Sequence, residues 1–125
     1  MRCFRDLLWV DAAAGLTVGV LTLALFRWVE PLYGLPDGAL AVIVAANLGY
    51  GLYSLSLARR RHRPMAMIVA LVAANGFWAV LCGVALVAWW PSASALGLLH
   101  LGIEAGVVGG LAWAEWHRRR SLTMV

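Results

Sequence analysis

The sequence predicts an all-α integral membrane protein, a four-transmembrane-helix bundle that forms one domain over residues 1–125. Four apolar runs fill almost all of the 125-residue chain. Hydrophobic residues make up 63% of the chain and charged residues 13%, whereas an average soluble domain carries about 25% charged residues. A soluble fold of this length could not bury so much apolar surface, but a lipid bilayer would solvate it.

Each apolar run has about the 20 residues that a helix needs to cross the hydrocarbon core of a bilayer. Helices are required because lipid offers no hydrogen-bond partner to the backbone of a single span, which must satisfy its own groups. The predicted spans cover residues 7–28, 38–58, 65–90 and 94–116.

Local signals mark where three of these helices begin. The second span follows a turn at residues 35–38, whose sequence LPDG combines the residues that favour turns. The third span follows Pro64, because proline suits the start of a helix. Ser92 or Ser94 is the expected N-cap of the fourth span, since a serine hydroxyl can accept from a free backbone N–H.

The basic residues predict the orientation of the chain. Nine of the ten lie on one side of the apolar runs, and only Arg27 falls on the other side. Because basic residues stay on the cytoplasmic side of a membrane protein, we expect an inner-membrane protein with both termini in the cytoplasm. The nine residues are Arg2, Arg5, Arg59, Arg60, Arg61, Arg63, Arg118, Arg119 and Arg120.

The two halves of the chain resemble each other weakly. The segment Ala12–Gly15 aligns with Ala73–Gly76, and after a shorter outer loop Asn47 aligns with Glu104. Both halves run across the membrane and back in the same sense. The pattern is consistent with two parallel helical-hairpin repeats, related by a pseudo-twofold axis along the membrane normal.

Strongly polar residues lie inside the predicted spans, where they are costly and usually face protein or water. Glu104 lies near the middle of the fourth span, and Asp11 lies nearer the start of the first. Helical spacing places polar side chains on one face of each span, and we expect these faces to turn inward. The second span carries a stripe of Asn47, Tyr50 and Ser54, and the third carries Asn75, Trp78 and Cys82 at the same spacing. The predicted intramembrane polar site consists of Glu104, His100, Asn47, Asn75, Asp11 and Tyr50.

Two interpretations of these polar residues stay open. They could form a site for a small solute or a proton, because a buried carboxyl group can exchange a proton with a coupled substrate. They could instead join helices through hydrogen bonds worth about 0.6–2 kcal/mol each. A carboxylic acid at mid-depth favours the first interpretation for Glu104, whereas the second is slightly favoured for Asn47 and Asn75.

Small residues recur every four positions along the fourth span, at Gly102, Gly106 and Gly110. Such a stripe allows another helix to approach very closely. It lies on the face opposite Glu104. We expect it to serve helix packing, either inside the bundle or in a homodimer.

Few other chemistries are indicated. His100 and Glu104 have the i, i+4 spacing of two metal ligands, but no second cluster completes a site, so neither a metal nor another cofactor is predicted. Glu115 is expected to pair with Arg118 or Arg119. The sequence contains no catalytic constellation, and although an enzyme is not excluded, it has the least support. Nothing indicates a nucleic-acid partner.

Two functions follow from these observations. The first is a transporter or channel-like protein whose polar site centres on Glu104. The second is a non-transporting scaffold or accessory subunit that holds a larger membrane partner through its glycine stripe. In size and span count the chain resembles the small multidrug-resistance exporters. Those families have their central glutamate in the first span, so the resemblance implies no residue roles here.

Overall fold

The computed structural model describes the backbone of residues 2–123 and the side chains of residues 7–123. Within that range all regular structure is helical. Four helices are long and apolar enough to cross a membrane, which confirms the predicted fold class. The helices are α1 (Arg2–Ala24), α2 (Phe26–Tyr33), α3 (Ala39–Ala58), α4 (Met65–Ala88), α5 (Ala95–His117) and α6 (Arg119–Leu122).

The four long helices pack as two hairpins. The first hairpin consists of α1 and α3, which contact each other along their length, and the second consists of α4 and α5. Contacts between the two hairpins are sparser and run mainly between α3 and α4 and between α2 and α5. The bundle therefore consists of two well-packed pairs that meet across a looser interface.

Glycines set the close approach inside the first hairpin. A Cβ atom added at Gly15 would lie 2.9 Å from the backbone oxygen of Asn47. One added at Gly51 would lie 2.8 Å from the backbone nitrogen of Leu16. Backbone atoms of a packed helix cannot move aside as a flexible side chain can, so both positions require glycine.

The first span is shorter than the sequence predicted. Helix α1 ends at Ala24 instead of continuing to Trp28, and the chain turns at Leu25 before starting α2. Helix α2 is amphipathic, because Phe26 and Val29 pack against the apolar core while Trp28 is 67% exposed. One apolar run in the sequence thus contains both a spanning helix and a short helix beyond it.

The other helix boundaries follow the predicted local signals. Gly34 and Gly38 adopt left-handed φ angles of 62° and 82° on either side of the turn that precedes α3. Pro64 immediately precedes α4. Ser94 is the N-cap of α5, and its hydroxyl accepts from the backbone N–H of Gly97 over 3.2 Å. We call the end formed by α2 and these turns the loop end.

At the opposite end, α1 begins, α3 ends, α4 begins and α5 ends. This end carries the arginines that follow α3 and α5, and we call it the arginine end. Its core contains Leu8, Leu57, Ile68 and Leu122, which are all fully buried. The short helix α6 therefore folds back and closes the bundle here with Leu122.

Arg63 holds the arginine end together and does more than provide a topology signal. Its guanidinium group is buried and donates through Nε to Leu57 O over 2.7 Å. Its two Nη groups donate to Ala58 O and to Leu122 O, each over 3.0 Å. One side chain thereby satisfies the last carbonyl groups of α3 and ties them to α6.

Candidate functional site

The larger of two buried polar clusters lies near mid-depth and centres on the carboxyl group of Glu104, which is 6% exposed. Asn47 Nδ2 and Trp78 Nε1 both donate to Glu104 Oε1 over 2.6 Å. His100 Nε2 lies 2.7 Å from Glu104 Oε2. We call this group, with Tyr33 and Tyr50, the Glu104 cluster. It draws side chains from both hairpins onto one carboxyl group.

Two tyrosines extend the cluster in opposite directions. Tyr33 Oη lies 2.8 Å from His100 Nδ1 at the loop end. Tyr50 Oη donates to Asn47 Oδ1 over 2.6 Å. Burial raises the pKa of Tyr33, and the charge of Glu104 adds to the effect, so this phenol keeps its proton. A neutral imidazole can then accept from Tyr33 at Nδ1 and donate to Glu104 from Nε2.

A second polar cluster lies toward the arginine end. Asp11 Oδ2 accepts from Ser54 Oγ over 3.1 Å and from Asn75 Nδ2 over 2.9 Å. Asn75 Nδ2 also donates to Glu115 Oε1 over 3.0 Å. All four residues are fully buried. We call them the Asp11 cluster, and they come one from each of the four long helices.

The predicted surface ion pair of Glu115 is wrong. Its side chain is fully buried and faces Asn75 and Asp11 instead of the arginines that follow it. Arg119 donates to the backbone oxygen of Trp116 and lies 3.9 Å above that indole ring. The i, i+4 spacing suggested an exposed pair, but Glu115 lies on the same inward face of α5 as Glu104.

Helix α3 connects the two clusters. Asn47 bonds Glu104 and Ser54 bonds Asp11, while Tyr50 lies between them on the same helix face. The seven residue steps from Asn47 to Ser54 span about 10 Å along the helix. The polar stripe predicted on this span thus contacts a carboxyl group at each of its ends.

A cleft of about 280 Å³ reaches the Glu104 cluster between α1 and α5. Glu104, His100 and Tyr50 line its polar side. Leu99 and Ile103, which are 58% and 56% exposed, form an apolar rim. The cleft therefore opens sideways, toward the region that lipid chains would occupy, and has its few polar groups at the inner wall.

A larger cleft of about 550 Å³ lies between α3 and α4. Its walls are almost entirely apolar, and none of the three carboxyl groups of the two clusters lines it. Trp78 separates the two clefts, since its ring lines the larger one while its Nε1 donates to Glu104. The smaller cleft is the one that combines open space with hydrogen-bonding groups.

The glycine stripe of α5 faces away from the rest of the chain. A Cβ added at Gly102, Gly106 or Gly110 would meet no atom within 4 Å in the part of the chain that the structure describes. Close helix contact occurs instead at Gly15 and Gly51 in the first hairpin. The stripe was predicted to serve packing either inside the bundle or in a homodimer. Packing inside the bundle is not observed among residues 7–123.

The structure brings all six predicted polar residues into the interior but divides them between two clusters. Glu104, His100, Asn47 and Tyr50 belong to one; Asp11 and Asn75 belong to the other. Four members were not among the predicted site residues, although helical spacing places Ser54 and Trp78 on the predicted inward faces and Glu115 on the face of Glu104. The residues that were missed are Trp78, Tyr33, Ser54 and Glu115.

Tyr33 carried no such signal, because it lies in a segment expected to be a loop. Within residues 7–123, no three His, Cys, Asp or Glu side chains group in a way that could hold a metal ion. Comparison of the chain with protein families, with curated proteins and with solved structures found no match.

Proposed function

We propose that this membrane protein is a small transporter that binds its solute in the cleft at Glu104 and exchanges a proton there. The proposal rests on one observation: open space inside the bundle reaches a carboxyl group at mid-depth. A purely structural hydrogen bond does not need such a space. Binding and release of a proton at a buried carboxyl group is a common way to couple a solute to a proton gradient.

The cleft walls indicate the chemical class of the solute. Apolar side chains line most of the surface, and the polar atoms of Glu104, His100 and Tyr50 lie together at the inner wall. A molecule with an apolar body and one cationic group fits this distribution. Its charge would interact with the Glu104 carboxylate, so that the solute and a proton would compete for the same group.

The orientation of the proposed transporter follows from the arginine end. Seven arginines lie in residues 59–63 and 118–120, and the hairpins bring both segments to one end of the bundle. Basic residues are retained on the cytoplasmic side. The arginine end therefore faces the cytoplasm in our proposal, and the lateral opening of the cleft gives access from within the bilayer.

Glu104→Gln is expected to abolish coupling. The amide keeps the size of the side chain and can still bond its neighbours, but it cannot release a proton or carry a negative charge. Proteoliposomes with a pH-sensitive dye inside would be exposed to hydrophobic amines and quaternary ammonium cations. The wild type should move protons in response to at least one of them, and Glu104→Gln should behave like empty vesicles.

Glu30→Gln provides the matched control, because Glu30 is an exposed glutamate on α2, outside both clusters. It should retain the wild-type flux. If the wild type and Glu104→Gln give equal proton flux with every cation, Glu104 is not the coupling residue and the proposal fails.

A scaffold role is the alternative, and one observation favours it. Both oxygens of Glu104 already bond protein groups, as expected of a carboxylate that only joins helices. The glycine stripe would then be the functional surface, because it offers a face for a helix of another chain.

Gly106→Leu tests this alternative. Since Gly106 has open space around it, the substitution should leave the thermal stability of the isolated chain unchanged. A scaffold should lose its association with other chains, measured by crosslinking in native membranes followed by electrophoresis. A transporter that works as a single chain should keep both its migration and its proton flux.

A further inference from the structure

The Asp11 cluster contains two carboxyl groups that form no ion pair with any side chain of residues 7–123. Asp11 and Glu115 are both fully buried, and an oxygen of each lies within 3.0 Å of the same nitrogen, Asn75 Nδ2. They come from different hairpins, Asp11 from α1 and Glu115 from α5. Asn75 holds them together, because its Nδ2 donates to one oxygen of each.

Among residues 7–123, the side chains that contact this pair offer hydrogen bonds. Ser54 donates from α3, and Tyr50, a titratable side chain about one turn earlier on α3, lies toward mid-depth, where it donates to Asn47. From the arginine end, the Arg63 guanidinium is directed at backbone carbonyl groups. Between side chains of residues 7–123, neither acid forms an ion pair.

Two negative charges this close in a buried site would repel each other strongly, so a carboxyl pair of this kind normally retains one proton. The open hydrogen-bonding positions agree with that expectation. Asp11 Oδ1 and Glu115 Oε2 have no hydrogen-bond donor among the described residues. A single proton between the two carboxyl groups would supply the missing donor to both.

We propose that Asp11 and Glu115 bind one proton between them and that this proton closes the first hairpin onto the second at the arginine end. With the proton, a carboxyl–carboxylate hydrogen bond adds to the Asn75 clamp. Without it, the proton has passed to water, the pair carries two negative charges, and the hairpins separate. This site is independent of the solute cleft, so it stands whether or not Glu104 couples transport.

The direction of the pH effect follows from the charge change. The closed arrangement binds one more proton than the open one, so raising the pH shifts the equilibrium toward the open arrangement. Asn75 Oδ1 also lacks a donor among the described residues. Water that enters on opening could therefore hydrate all three free oxygen atoms.

The first test is infrared difference spectroscopy of the wild type in lipid between about pH 5 and about pH 10, where buried carboxyl groups titrate. A carboxylic-acid carbonyl band should disappear as the pH rises. Glu115→Gln should lack this band, because the amide cannot titrate. Glu104→Gln should keep it, which separates this site from the Glu104 cluster. A band that is absent at every pH, or that survives in Glu115→Gln, overturns the proposal.

The second test measures the distance between the hairpins. Spin labels at Val10→Cys on α1 and Trp113→Cys on α5 would occupy exposed positions near the arginine end, with the native cysteines replaced. The distance should lengthen with rising pH in step with the infrared change. Glu115→Gln should keep the short distance at every pH, because its amide donates as the protonated acid does.

Asp11→Asn serves as a second variant should Glu115→Gln fail to fold, and it should give the same short, constant distance. Glu30→Gln, which alters an exposed carboxyl group, should respond to pH as the wild type does. A distance in the wild type that does not change with pH contradicts the proposal. A free energy of unfolding of the wild type that rises with pH over the same range also contradicts the proposal. This measurement needs no variant.

Discussion

Replacing Arg63 by alanine is expected to destabilise the arginine end by about 3 kcal/mol or more, because hydrogen bonds to a charged group contribute about 1.5–3 kcal/mol each. The change removes three of them at once. The carbonyl groups of Leu57 and Ala58 would lose a charged donor at the end of α3. The hydrogen bond to the Leu122 carbonyl group would also be lost, and α6 should detach from the bundle.

Thermal unfolding in detergent, followed by circular dichroism, measures the loss. Arg61→Ala is the matched control, since Arg61 is an exposed residue in the same short connection, and it should leave the midpoint unchanged. The unfolding midpoint of Arg63→Lys should lie between those of Arg63→Ala and Arg61→Ala. An ammonium group cannot reach three carbonyl groups with the geometry of a guanidinium fork. Equal midpoints for Arg63→Ala and Arg61→Ala would show that the buried contacts carry no net stability.

Gly15→Leu is expected to disrupt the first hairpin. Any Cβ at this position lies too close to the backbone oxygen of Asn47 and to the ring of Tyr50. Overpacking of a tight interface costs about 1–3 kcal/mol and more where the backbone must move. Because Asn47 would shift with α3, the hydrogen bond to Glu104 should weaken as well.

The comparison with Gly106→Leu isolates the effect of packing. Both substitutions replace a glycine inside a long helix by the same good helix former, which favours the helix by about 1 kcal/mol. Only Gly15 is in close contact with another helix of the chain. The unfolding midpoint in detergent should fall for Gly15→Leu and stay level or rise for Gly106→Leu. A fall of equal size for both would mean that the midpoint does not report the hairpin contact.

The sequence was sufficient for the helices and for the direction in which their polar residues face. Apolar run length determines a span, because the hydrocarbon core has a fixed thickness. Helical spacing placed Asn47 and Tyr50 on one face of α3, and both do point into the bundle. These features depend on neighbours along one helix, which a sequence displays directly.

The partners across helices could not be predicted in the same way. Glu115 matched an arginine at helical spacing, but the competing partner lay more than 100 residues away in Asp11. Trp78 was expected deep in the membrane. Which group accepts from its Nε1 depends on how the helices pack, and a sequence does not show that packing. The break at Leu25 was hidden because a spanning helix and an amphipathic helix can share one apolar run.

The division into two hairpins has a consequence for biogenesis. Ribosomes complete the first hairpin before Asn75 and Glu115 have been made, so Asp11 enters the bilayer with only Ser54 as a polar partner among the residues that later surround it. An acid in that position is costly in lipid. Arrival of the second hairpin supplies the missing partners, because Asn75 donates to Asp11 and also holds Glu115. The first half of the chain therefore depends on the second half for the burial of its acid.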